Sequence, residues 1–312
     1  MKRVIISLLM IFLLAGCSPK TDDSDASPTI VCTGFAKYDW VMNILGDESG
    51  NWNVIRLNEK GADMHSYQPS ARDMVNIVSA DLIVYTGGSS EDWIIDVIEE
   101  NEDFGGTAYC LLEHGHALDE ASHGHEDEHE HEHDEEHCLL DEHIWLSPKN
   151  AMIFIEELAH ILSGIDPSKA DLYESNAASY ISSLEDLDCQ YAQTLSNTKY
   201  HTLIFADRFP FLYLAEDYGL EYYAAFPGCS AETEASFDTI IFLSDKLKES
   251  GLSALLITES SQESMANTII KTSGLESTKI YRLNSLQSVT DTQTTYLGVM
   301  EQNLQVLMEV LN

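Results

Sequence analysis

TIVCTGFAKYDWVMNILGDESGNWNVIRL, residues 29–57, decides the fold class. It opens with a short apolar segment and passes through Gly34 into a stretch with helix-type apolar periodicity. It leaves through a polar turn into a second short apolar segment. Strand, helix and strand in that order give a parallel pair joined by a crossover helix.

The same alternation continues outward. DLIVYTG (81–87) and GTAYCLLE (106–113) read as further strands, and PSARDMVNIVSA and EDWIIDVIEE carry helical periodicity between them. These strands are apolar on both faces, as buried parallel strands must be. A second half repeats the pattern with strands at TLIFA (202–206), EYYAAF (221–226), SALLIT (253–258) and KIYRL (279–283). Helices at FDTIIFLSDKLKES, SMANTIIKTSG and TTYLGVMEQNLQVLMEVL complete it. Between the halves, Asp166-Pro167 supplies an N-cap and a first-turn proline. No Gly or further Pro follows until about Thr198, which predicts a helix of roughly 45 Å at about 1.5 Å per residue. The expected architecture is α/β: two lobes, 29–165 and 199–312, each a mainly parallel sheet flanked by helices, joined by the helix over 166–198. No internal repeat is visible at the level of sequence.

At 312 residues the chain exceeds one typical core, and 44% hydrophobic content is ordinary for a folded protein. The formal charge of −37 is not ordinary. Nucleic acid is excluded as a partner, because a phosphate backbone demands the Lys and Arg that are scarce here; cationic ligands suit this field. Lys2 and Arg3 precede an apolar run, VIISLLMIFLL (4–14), too short to span a bilayer stably. Leu14-Ala15-Gly16-Cys17 then resembles a bacterial lipoprotein signal. Residues 1–16 are expected to be removed and Cys17 to carry the lipid, with 17–28 as a polar tether, placing the protein outside the cytoplasmic membrane. Cys32, Cys110, Cys138, Cys189 and Cys229 remain, an odd set without zinc-finger spacing that reads as buried thiols with at most two disulfides.

Residues 114–142 hold eight of the twelve histidines, His114, His116, His123, His125, His129, His131, His133 and His137, among many acids and no Lys or Arg. Lacking apolar periodicity, the tract reads as a mobile loop able to take up Zn2+, and also Cu2+ or Ni2+. Without a packed scaffold its affinity should fall below that of a preformed cleft.

Four other polar residues stand at strand ends or loop starts: His65 in GADMHSYQPSARD, His143 in DEHIWLSP, Asp207 after TLIFA and Glu259 after SALLIT. Ligands of open parallel sheets collect at the carboxyl ends of strands. Two imidazoles and two carboxylates from the two halves would there form a ligand set for a borderline divalent ion.

At these residues the chain resembles the metal-binding solute-binding proteins of bacterial metal-ABC importers, particularly the zinc-uptake branch. HSYQPS is similar to that family's first-ligand motif and DEHIWLSP to its second, with the acidic His-rich loop between them. The resemblance implies two lobes joined by a rigid helix, a metal between them and little hinge motion. It also implies a third histidine at the first strand of the second lobe. Here FADRFPFLYLAEDYGL puts Ala206 at that position, so Asp207 beside it becomes the candidate third ligand. Glu259 is the candidate fourth, with Glu263 in ITESSQES as the alternative.

The function expected is a lipid-anchored, monomeric receptor that captures Zn2+ and passes it to an ABC permease. A carboxylate in place of histidine hardens the site, so Mn2+ or Fe2+ is the rival cargo. A metal-dependent hydrolase and a zinc-storage or adhesin lipoprotein are rivals of other classes. No HExxH or comparable catalytic signature occurs, and catalysis is not expected.

Overall fold

The computed structural model describes residues 27–312 except 60, 62–63, 103, 121–139 and 231–234. The signal, Cys17, most of the tether and His123 through His137 lie outside the described residues. No helix among the described residues is long and apolar enough to cross a membrane.

The first lobe follows the alternation read from residues 29–57. In chain order it contains β1 (Thr29–Cys32), α1 (Phe35–Leu45), β2 (Asn53–Arg56), α2 (Ala71–Val78), β3 (Leu82–Tyr85), α3 (Asp92–Glu99), β4 (Thr107–Cys110), α4 (Leu111–His114) and α5 (Pro148–Ile165). Its sheet is parallel with strand order β2-β1-β3-β4. β1 and β3 are central, and Ile30, Val31, Leu82, Ile83 and Val84 are fully buried, which is why they carry apolar side chains on both faces.

The connecting segment begins with a 3-10 turn, Pro167–Lys169, capped by Asp166, whose Oδ1 accepts from the Ser168 N–H at 3.1 Å. It continues as α6 (Ala170–Leu195). The α-helical part is therefore 26 residues, about 39 Å at 1.5 Å per residue. This is shorter than the sequence suggests, because the first turn is wound differently and the chain leaves the helix before Thr198. Tyr173, Tyr180, Leu184, Leu187 and Tyr191 form the buried face of α6.

The second lobe comprises β5 (Thr202–Phe209), α7 (Leu212–Tyr218), β6 (Glu221–Pro227), α8 (Phe237–Ser250), β7 (Ala254–Thr258), α9 (Ser264–Ser273), β8 (Lys279–Leu283) and α10 (Tyr296–Val310). Its parallel sheet has the order β6-β5-β7-β8. Counted from its own first strand, that is the order of the first lobe. The halves are thus duplicates in topology, although their sequences show no repeat: the shared feature is the apolar pattern, not residue identity.

One apolar cluster runs through both lobes, including Trp40, Tyr109, Phe154, Tyr173, Tyr191, Phe205, Phe209 and Tyr296. Buried hydrogen bonds cross the same seam. Trp145 Nε1 donates to the Ser285 carbonyl at 2.9 Å, Tyr213 Oη to the Asp141 carbonyl at 2.6 Å, and Tyr296 Oη to the Trp145 carbonyl at 2.7 Å. Opening the lobes would expose this core and strand these polar groups, so the relative position of the sheets is fixed by packing rather than left to a hinge.

Candidate metal centre

His65 lies on a short 3-10 turn, Met64–Ser66, between β2 and α2. α2 is tied down by a capping box in which Ser70 and Asp73 satisfy one another's backbone N–H groups. His143 follows the acidic tract and begins the turn Ile144–Leu146; its side chain is fully buried. The two Nε2 atoms face each other at 3.2 Å.

The far nitrogen of His143 is held by a carboxylate, that of His65 by a serine hydroxyl with a second carboxylate close by, and the two carboxylates are sequence neighbours. Asp141 Oδ1 stands 3.0 Å from His143 Nδ1 and accepts from the His143 N–H at 2.8 Å. Glu142 Oε2 stands 3.4 Å from His65 Nδ1, which also meets Ser90 Oγ at 2.8 Å. Glu142 is itself seated by Ser89 Oγ at 3.1 Å and the Ser90 N–H at 3.0 Å. This seat exists because Gly87 and Gly88 turn the chain sharply after β3 at φ +88° and +77°. A Cβ on Gly88 would lie 2.6 Å from the Glu142 carboxylate, so that position needs glycine twice over.

The two Nε2 atoms stand at hydrogen-bonding distance, where a proton is shared between the rings. A divalent cation in its place would meet one lone pair from each ring.

A third donor comes from the other lobe. Cys229 follows β6 in the turn Pro227-Gly228-Cys229, and its Sγ, His65 and His143 offer ligand atoms within 4.8 Å of one another. The same thiol groups with Glu120 and Asp141 within that limit. Burial pushes the Cys229 thiol well above the usual range, and the neighbouring Asp141 charge pushes it further. Gly228 lies flat against His143: a Cβ there would meet the Phe209 carbonyl at 2.8 Å and both Asp141 Oδ2 and His143 Cε1 at 3.1 Å.

The carboxylates expected from the sequence are used differently. Asp207 does not end β5, which runs two residues further through a bulge between Phe205 and Arg208. Its Oδ2 accepts from Thr258 N at 3.2 Å, Thr258 Oγ1 at 2.6 Å and Ser261 Oγ. Glu259 accepts from the Ser285 N–H at 2.9 Å and from Ser285 Oγ at 2.8 Å. Glu263 is an exposed ion-pair partner of Arg282 at 3.1 Å. Among the described residues, none of the three is grouped with the histidine pair.

Of the accessory histidines, His114 and His116 are described. His114 pairs with Glu157 at 2.8 Å and packs at a tilt against Tyr109; His116 exchanges backbone hydrogen bonds with the Asn150 side chain. A bridge between Asp119 and Leu140 closes the base of the tract. Ordered structure therefore intrudes at both ends of the segment read as a loop over 114–142. Asp141 and Glu142, which look like the tail of an acidic run, are 1% and 2% exposed.

The chain has relatives of known function. The family described as zinc-uptake complex component A, periplasmic (ZnuA), matches residues 30–310. The chain belongs to the ZnuA family. The zinc-binding lipoprotein AdcA of Streptococcus pneumoniae is 32% identical over 99% of this chain, which spans 61% of that protein's length. The high-affinity zinc uptake system protein ZnuA of Bacillus subtilis is 28% identical, with 99% of this chain and 96% of that protein covered. Among solved structures, the Zn(II)-bound ZnuA-like domain of S. pneumoniae AdcA superimposes with a TM-score of 0.72 at 29% identity, covering 92% of this chain and 99% of that one. Two parallel-sheet lobes on a long connecting helix are the ZnuA architecture. Three residues that the structure gathers around the histidine pair, Asp141, Glu142 and Cys229, are missed by sequence reasoning. The signal for Cys229 is the Pro-Gly turn directly after β6, a strand end like those of β5 and β7.

Proposed function

We propose that this chain is the extracytoplasmic receptor of an ABC-type importer, capturing Zn2+ between its lobes and delivering it to a membrane permease. The observation that carries this reading is the facing pair of Nε2 atoms, His143 oriented from behind by Asp141 and His65 by Ser90 with Glu142 beside it. The zinc-binding names of its relatives agree with it. Receptor work needs an ion held by converging protein donors, not the open coordination position and general base that hydrolysis requires. The protein is expected to act as a monomer tethered through the lipid on Cys17, with the His-rich tract gathering zinc for the cleft. Manganese as cargo loses its main argument, because the Asp207 carboxylate is taken up by Thr258 and Ser261.

The test is a chelator-buffered competition between Zn2+ and Mn2+ on the full chain and on His143→Ala. Tight zinc binding that outcompetes manganese and disappears in the variant is the expected result. Equal affinity in the variant, or a preference for manganese, would overturn the proposal.

A further inference from the structure

We infer that Cys229 is the third protein ligand of the captured ion, so that the centre is built from two imidazole nitrogens and one thiolate. The inference rests on the proposed cleft function and names the donor that the second lobe brings to it. Three independent features of the turn carry it.

The first is convergence. Among the described cysteines, Cys32 and Cys110 are buried, with Cys110 Sγ donating to the Thr86 carbonyl at 3.3 Å, and Cys189 is exposed on α6. Only Cys229, among the described cysteines, is grouped with two imidazole nitrogens. The second is that the main chain of the turn is pinned on several sides. The Cys229 N–H donates to Glu120 Oε1 at 2.9 Å, the Ser230 N–H to the Pro227 carbonyl at 3.3 Å, and Arg208 Nη1 to the Ser230 carbonyl at 3.4 Å. The third is Gly228, whose missing side chain lets the turn close against His143 and the Phe209 carbonyl. A turn fixed in this way presents the thiol to the ion with little freedom left to lose on binding.

The chemistry follows directly. As M2+ binds, the S–H bond breaks, sulfur keeps the electron pair and donates it to the ion, and the proton leaves to solvent. Two imidazoles with a thiolate suit Zn2+ and are a poor match to Mn2+, which favours oxygen donors. The segment that lost the family's histidine at Ala206 therefore does not harden the site. The replacement donor comes from the next strand end and is softer.

The experiment is a cobalt(II) titration of the reduced full chain, with zinc competition read in parallel. Co2+ bound to thiolate gives an intense near-ultraviolet sulfur-to-metal charge-transfer band. The band is expected in the wild type and in Cys138→Ser and should be absent from Cys229→Ser. Zinc affinity of Cys229→Ser should fall about 100-fold or more, beyond the 10–100-fold typical of losing an outer partner of a ligand. Cys229→His should bind zinc tightly without the band, which guards against a serine variant that merely folds badly. A band that survives Cys229→Ser, or zinc affinity unchanged in that variant while His143→Ala binds none, overturns the thiolate ligand and leaves the cleft reading standing. Full affinity in His143→Ala overturns both.

Discussion

The Nε2 atoms of His65 and His143 stand 3.2 Å apart, with Asp141 on the opposite nitrogen of His143 and Ser90 on that of His65, where Glu142 also lies 3.4 Å away. The two rings act as a unit, since neither can chelate an ion alone. His65→Ala and His143→Ala are each expected to lose nearly as much zinc affinity as the double variant. Such non-additivity is the mark of groups that share one ligand. Calorimetric or chelator-competition titration of the three variants measures it, and independent, additive losses would contradict a shared ion.

Asp141→Asn keeps an oxygen for the His143 N–H but removes the charge that supports Nδ1. Zinc affinity should fall roughly 10- to 100-fold, the range for outer partners of metal-bound histidines. Glu142→Gln should fall within the same range through His65. Both apo proteins should retain the wild-type circular dichroism spectrum, which separates loss of ligand orientation from loss of fold.

The strands were legible because each is a short apolar run bounded by turn residues, and buried parallel strands admit little else. His65 and His143 were legible because each sits in a polar motif at the edge of such a run. Asp207 lies inside β5 rather than at its end for a local reason: the bulge between Phe205 and Arg208 extends the strand past it, and its carboxylate accepts from Thr258. Cys229 was hidden because the order of strands, which decides which strand ends face the other lobe, is not written in any one segment. Asp141 and Glu142 looked like solvated acids because their neighbours in sequence are acids. Only the seat made by Gly88, Ser89 and Ser90, distant in sequence, reveals that Glu142 is buried.

Asp207→Asn and Glu259→Gln should act on stability more than on zinc. Each carboxylate accepts hydrogen bonds that tie the β7 end to a neighbouring segment of its own lobe. An amide in their place can keep an oxygen towards these donors but loses the charge that strengthens the bonds, at a cost of about 1 kcal/mol. Urea unfolding in the presence of a chelator should show the loss, with zinc affinity changed less than about tenfold relative to the 10–100-fold expected at Asp141. A collapse of zinc affinity at either position would return that residue to the ligand set.

Gly228→Ala adds one carbon where the Phe209 carbonyl would stand 2.8 Å away. The backbone cannot yield as a flexible side chain would, so the turn must move off His143 and take Cys229 with it. Overpacking of this kind costs about 1–3 kcal/mol, and the displacement should weaken zinc binding beyond what the stability loss alone implies. Parallel unfolding and titration experiments decide the matter. A variant destabilised with unaltered zinc affinity would show that the turn's position is irrelevant to the ion.

Asp39 joins three helices across the seam: its Oδ2 accepts from Tyr180 Oη of α6 at 2.9 Å and from the Tyr296 N–H of α10 at 3.3 Å, while the residue itself lies on α1. Burial raises its carboxyl above the ordinary value of 3.8, against the opposing effect of those hydrogen bonds. A raised carboxyl binds its proton more tightly in the native state than in the unfolded state. Its contribution to stability is therefore fully present below the unfolded value and is lost as pH rises through the folded one. Each unit of displacement corresponds to about 1.36 kcal/mol. Asp39→Asn removes the titration while keeping an acceptor for Tyr180. The unfolding free energy of the wild type, relative to this variant, should consequently decline as the pH rises above the ordinary carboxyl value of 3.8. Chelator-treated protein unfolded in urea at several pH values gives that difference directly. A difference that grows with pH would mean that the ionised carboxylate, not the protonated acid, is the form the seam prefers.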